Sequence, residues 1–223
     1  MSDWLTLSIA TYVGLLPIVN PFSTAVVFLS LTARFPRERQ QQQAKMACVW
    51  AASLLIVFML AGAVIMSFFG ITLHAVQLAG GLIVARIGFG MLQPEPDQAV
   101  SDDSRMEALA MEDVAFTPLA MPMMSGPGAI AVVIGMSANA DVWWENSAIA
   151  VGILMVAFSS WLVLRAAERV VGYLGATGVS ALSRIMGFLL VCVGVQFIGT
   201  AIIEVVTDER FLGAIVDAIG RNG

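Results

Sequence analysis

Leu16-Pro17-Ile18-Val19-Asn20-Pro21-Phe22-Ser23 lies inside an apolar run, and its pattern returns 105 residues later as Met121-Pro122-Met123-Met124-Ser125-Gly126-Pro127-Gly128. Each copy holds an apolar residue, a proline, two apolar residues, a small polar residue and then a Pro/Gly break. Proline within a helix removes one backbone hydrogen bond and clashes with the preceding turn, at about 3 kcal/mol. Asn20 can cap a new helix whose first position is Pro21. Ser125, just ahead of Gly126-Pro127, offers a hydroxyl beside a second restart. Both stretches therefore predict a helix that stops and begins again.

The surroundings of these breaks predict a membrane. Of the 223 residues, 59% are hydrophobic and 12% charged, and mean hydropathy is +0.88. Soluble domains carry about 25% charged residues, so lipid is the fitting solvent for this chain. Six apolar stretches reach the roughly 20 residues that a bilayer core demands. They are Trp4–Leu31, Met46–Phe69, Ile71–Met91, Val114–Met136, Trp143–Leu164 and Ala181–Ile203. The breaks fall in the first and fourth. Unwound backbone at that depth is tolerated only where it is buried in protein or lines a wet cavity.

The repeat extends past the breaks. Gly81-Leu82-Ile83-Val84 with Gly88 matches Gly187-Phe188-Leu189-Leu190 with Gly194 at an offset of 106. Three spans per half force the second copy to enter the membrane from the opposite side, which is the inverted repeat of many secondary transporters. The expected fold is thus an all-α membrane protein. Its six transmembrane helices form two inverted three-helix repeats, with helices 1 and 4 broken near the bilayer midplane. Residues 1–91 form the first repeat, 92–113 a cytoplasmic polar loop, 114–204 the second repeat and 205–223 a periplasmic amphipathic tail. Spacing within that tail also suits an extension of the sixth span.

Orientation follows from the basic residues. The odd loops and adjoining helix ends hold Arg34, Arg37, Arg39, Lys45, Arg105, Arg165, Arg169 and Arg184, against Arg210 and Arg221 on the other face. That asymmetry puts the odd loops in the cytoplasm and both termini in the periplasm. Trp4, Trp143 and Trp144 then fall at the outer boundary, where interfacial tryptophans belong. The start, Met1-Ser2-Asp3-Trp4, lacks the basic region of a cleavable signal, so the first span is expected to be retained.

A restarted helix aims free N–H groups and partial positive charge toward the bilayer middle, while the chain end before it offers carbonyls. Those two poles suit a zwitterion. The central portions of the six spans contain no Asp, Glu or Lys, so a strongly charged solute would find no fixed counter-ion. The candidate binding residues are Asn20, Pro21, Phe22, Ser23 and Thr24 at the first break, and Ser125, Gly126, Pro127 and Gly128 at the second. Gln77 and Gln196 either reach this site or bond between helices. His74, the single histidine, suits an interfacial position better than a proton-linked gate. Cys48 and Cys192 read as small buried hydrophobes.

These motifs resemble the paired signatures of the MarC family of bacterial inner-membrane proteins, carried by Leu16–Phe22 and Met121–Ile130 in this sequence. The resemblance runs on through Gly80-Gly81 and Arg184-Ile185-Met186-Gly187, and covers nearly all of the chain except its tail. The family is also called the small neutral amino acid transporter family. It implies six helices in two inverted repeats, a bacterial inner-membrane location, and carriage of glycine- or alanine-like solutes in at least some members. Site roles carry over to Asn20, Pro21, Ser125, Gly126, Pro127 and Gly128, where the motifs match.

The expected function is secondary transport of a small neutral amino acid by alternating access around the two broken helices. The coupling ion, proton or sodium, is left open. The alternative is an uncoupled channel or facilitator. A membrane hydrolase would need a serine–histidine, metal or paired-carboxylate constellation, and these spans offer none, so the chain is not read as an enzyme. No cofactor or metal site is expected. The partners are the solute, the ion and the lipid bilayer; nucleic acid is not among them, because the 11 Lys+Arg make no groove-binding patch.

Overall fold

The computed structural model describes residues 2–93, 113–140 and 142–207. Every element among them is helical: α1 (Ser2–Val19), α2 (Pro21–Thr32), α3 (Arg37–Phe69), α4 (Leu73–Leu92), α5 (Ala115–Met124), α6 (Pro127–Ala138), α7 (Trp143–Arg165) and α8 (Ala167–Thr207). Helices α3, α4 and α7, and the Thr177–Thr207 stretch of α8, are each long and apolar enough to cross a membrane. The pairs α1/α2 and α5/α6 pass the same test jointly, with bends of 42° and 61° at their joints. The described residues thus supply four spans, or up to six if each bent pair counts as one.

Helix ends differ most from the apolar boundaries at the starts of α3 and α8. α3 begins at Arg37, nine residues before Met46, because Arg, Gln and Glu are good helix formers whether or not lipid surrounds them. α8 begins at Ala167 and turns at Gly175, whose φ of 63° is a left-handed conformation that glycine adopts at no steric cost. The spanning part then starts at Thr177 rather than at Ala181. Val205, Val206 and Thr207 continue α8. The rest of the expected tail helix, 208–223, and most of the expected polar loop, 94–112, lie outside the described residues.

The joint between α3 and α4 is as tight as its sequence requires. Gly70 ends α3 at φ 64°, its N–H donating to the Ser67 carbonyl and that of Ile71 to the Met66 carbonyl. Thr72 then caps α4, its hydroxyl accepting from the N–H of Ala75 at 3.3 Å.

α3 illustrates how the helices pack. Ala44, Ala47, Ala51 and Gly62 lie on its buried face, while Val57, Leu60, Val64 and Phe68 on the other are 57–82% exposed. Lipid solvates large apolar side chains as well as protein does, so association rests on close contact between small residues. The same logic joins the other helices. α4 packs on α8, α1 on α7, and α3 on α5, α6 and α7. A Cβ on Gly152 of α7 would lie 2.5 Å from the Cβ of Thr11 in α1. One on Gly80 of α4 would lie 2.6 Å from that of Ala131 in α6.

Candidate functional site

At the first joint α1 closes with a bond from the Asn20 N–H to the Leu16 carbonyl, 3.0 Å. Asn20 then takes a left-handed conformation, φ 39° and ψ 68°, the one positive φ outside glycine among the described residues. Asparagine tolerates it because its short polar side chain bonds locally. Here Oδ1 accepts from the Ser23 N–H (3.3 Å) and Nδ2 donates to Ser23 Oγ (2.7 Å). Pro21, without an N–H, takes the first helical position, where none is needed. The cap expected of Asn20 is therefore present.

Asn20, Pro21 and Thr24 are buried, Phe22 and Ser23 half-buried. Thr24 turns its hydroxyl back to the carbonyls of Asn20 (3.1 Å) and Val19 (3.3 Å), covering the acceptor end of α1. Ser23 Oγ also shares a 2.6 Å hydrogen bond with Ser183 Oγ of α8. That residue was absent from the sequence-derived set. Its one sequence signal was its place beside the Arg184–Gly187 motif.

The second joint is built differently. Thr117 and Met121 are extended within α5 (φ −119°, ψ 125°; φ −127°, ψ 124°), as residues preceding proline are biased to be. Pro118 and Pro122 thus unwind the chain well before Gly126-Pro127. The hydroxyl of Ser125 does not cap the restart. It donates backward to the Ala120 carbonyl at 2.8 Å, which also accepts the Ser125 N–H at 2.9 Å. Gly126 holds the cap position of α6 and offers no side chain. The first α6 bond runs from the Ile130 N–H to the Gly126 carbonyl, 3.1 Å, so the N–H groups of Gly128 and Ala129 have no intrahelical acceptor.

Close approach governs both glycines. A Cβ on Gly126 would fall 2.5 Å from the Pro122 carbonyl oxygen, whereas one on Gly128 would meet Val84 and Ile87 of α4 at 3.3 and 3.4 Å. Gly128 is thus packed on α4. Ser125 is fully buried, Gly126 half-buried and Pro127 exposed.

The two joints lie on neighbouring elements, α2 against α5 and α1 against α6. Among the described residues no hydrogen bond runs from one joint to the other. Among the described residues two further buried polar groups have no hydrogen-bond partner, Gln77 Oε1 and Ser160 Oγ. Trp4 bonds Ser147, Thr11 meets Gly152, and Phe28 lines a common cavity with Leu162 and Leu164. Ser160 therefore falls level with the first joint. A Cβ on Gly135 of α6 would lie 3.9 Å from Gln77 Cγ; Gln196 is exposed. His74 Nδ1 lies 3.0 Å from Glu204 Oε2, linking α4 to α8 at one end of the helix pair.

The family model described as MarC family integral membrane protein matches residues 5–206. The chain belongs to the MarC family. Among curated relatives it is similar to the inner membrane protein MarC of Escherichia coli O1:K1 / APEC, 38% identical over 208 residues, covering 87% of this chain and 93% of that one. The MarC protein of Escherichia coli strain K12 stands at the same identity and coverage. No solved structure matches the chain. The match includes both joints, the α4–α8 pair and Ser183, so the described helices are those of a MarC-family integral protein of the inner membrane.

Proposed function

We propose that this MarC-family protein carries small neutral amino acids, glycine- or alanine-like, across the bacterial inner membrane by alternating access around two broken spans. The observation that carries the reading is the pair of helix restarts at Asn20-Pro21 and Gly126-Pro127, each bending an apolar helix pair by 40° or more. The second restart leaves the N–H groups of Gly128 and Ala129 free for a carboxylate, and helix N-termini favour one electrostatically. The unpaired Ser160 hydroxyl is an acceptor suited to an ammonium group. A solute carrying both charges needs no Asp, Glu or Lys in the spans.

The inverted repeat is supported by a contact pattern. The sequence offset pairs Gly81 with Gly187 and Gly88 with Gly194. Gly81 touches Gly194, and Gly88 touches Gly187. Exchanging the two halves maps this set of contacts onto itself, as a two-fold relation demands. The first bent pair likewise sets α1 on α7, and the second sets α5 and α6 on α3. In this reading both termini face the periplasm, the protein is a carrier and not an enzyme, and the coupling ion is a proton or sodium.

The test uses the full chain, purified and reconstituted in liposomes. Glycine, alanine and serine should exchange in counterflow and raise the thermal midpoint in detergent, by about 2.7 kcal/mol of stability at a hundredfold excess over Kd. Aspartate and lysine should do neither. Equal stabilisation by lysine would refute the solute class. Exchange without accumulation under any ion gradient would replace the coupled carrier by a facilitator.

A further inference from the structure

We propose that the cavity where α2 and α7 end and α3 and α8 begin is a binding site for the phosphate of an anionic phospholipid. The cavity measures 380 Å³, and its polar lining is Arg37, Gln40, Gln41, Arg165, Glu168 and Arg169. Three guanidinium groups face one carboxylate. Arg37 already occupies that carboxylate, its Nη2 lying 3.1 Å from Glu168 Oε2. Arg165 and Arg169 have no acidic partner among the described residues.

Guanidinium groups only donate hydrogen bonds, so the ligand must be rich in acceptors and anionic. Phosphate oxygens meet both demands, and arginine binds them bidentately.

The apolar approach selects a lipid over free phosphate. On α7, Phe158 and Leu162 are 59% and 46% exposed. They lie at helical spacing from Arg165, on one face with Trp161. Leu162 also lines the cavity, and the Arg165 guanidinium sits over the Trp161 ring at 5.2 Å. A stripe of lipid-facing side chains thus ends in an aromatic residue and then in uncompensated positive charge. An acyl chain lying along Phe158 and Leu162 would bring its own phosphate to Arg165 and Arg169, as basic pockets between membrane helices do for anionic headgroups.

The experiment titrates the full-length protein in uncharged detergent with phosphatidylglycerol, phosphatidylcholine and inorganic phosphate, reading bound adducts by native mass spectrometry and the thermal midpoint in parallel. Phosphatidylglycerol should bind and raise the midpoint, and neither other ligand should match it. Joint replacement Arg165→Gln with Arg169→Gln should weaken that binding by about tenfold or more, at roughly 1 kcal/mol per basic residue, while Arg184→Gln should not. Gln41→Glu, an exposed substitution that adds negative charge to the rim, should also weaken it and keeps the test valid if the double variant misfolds. Equal binding of phosphatidylcholine overturns the role of charge, equal binding of inorganic phosphate overturns the lipid, and unchanged binding in the variants overturns the site.

Discussion

Gly81 and Gly194 meet backbone to backbone: a Cβ on the first would stand 2.7 Å from the carbonyl oxygen of the second, and a Cβ on the second 2.6 Å from that of the first. Neither neighbour is a flexible side-chain tip, so a larger residue must push α4 and α8 apart. Gly81→Val and Gly194→Val should each lower stability by about 1–3 kcal/mol, the usual cost of overpacking. Gly172→Ala, with open space around its position, should be neutral or slightly stabilising. Thermal unfolding in detergent checks the contrast, and similar losses at all three positions would contradict the contact.

Asn20 does two things, and substitutions can separate them. Asn20→Gly keeps the left-handed turn and loses the bonds to Ser23; Asn20→Ala loses both. The cap accounts for about 1 kcal/mol and the left-handed backbone for about 1–2 kcal/mol more in alanine. Stability should therefore fall in the order parent, glycine, alanine. Titrating each folded variant with glycine or alanine then tests the site separately. Affinity that stays at the parent value in both would leave Asn20 a structural residue.

At the second joint the neighbouring glycines should differ. Gly126→Ala drives a Cβ against the Pro122 carbonyl, which cannot rotate away, and should destabilise the fold. Gly128→Ala meets only side-chain methyl groups at 3.3 Å and beyond and should fold close to normally. It also retains the N–H assigned to the solute carboxylate, so transport should survive in Gly128→Ala. Gly128→Val, β-branched and bulkier, should lose it. A stable Gly126→Ala variant would show that the chain opens more freely there than its geometry implies.

The His74–Glu204 pair is the weakest of these contacts. Its side chains are 33% and 37% exposed, and pairs in contact with water typically couple by about 0.2–1 kcal/mol. A double-mutant cycle with His74→Gln and Glu204→Gln should return a value in that range and shrink it as salt is added. Coupling of several kcal/mol would mean that the end of the α4–α8 pair is dry.

Local chemistry was legible in the sequence, and tertiary chemistry was not. Asn20-Pro21 announces a cap because its acceptor, its donor and its missing N–H all act within three residues. Apolar length announced the spans for the same reason, though not where α3 begins, since helix formation and apolarity are separate properties of Arg37–Lys45. The partner of the Ser125 hydroxyl was not legible, because its direction depends on where an irregular α5 leaves the Ala120 carbonyl. Pro118 and Pro122 mark that irregularity, yet they do not say which carbonyl it presents. Ser183 reaches Ser23 across 160 residues, and no spacing rule connects positions that far apart.

On α3, Ala51 is 3% exposed and Leu60 68%, and both are apolar residues in one helix. A change of Ala51 to leucine conserves chemical class and forces volume into a closed contact, whereas Leu60→Ala removes bulk that is mostly exposed on the outer face of the helix. Side-chain size, and not polarity, is therefore what separates damaging from silent variation along this helix. Scales that grade substitutions by hydrophobicity will rank these two in the wrong order.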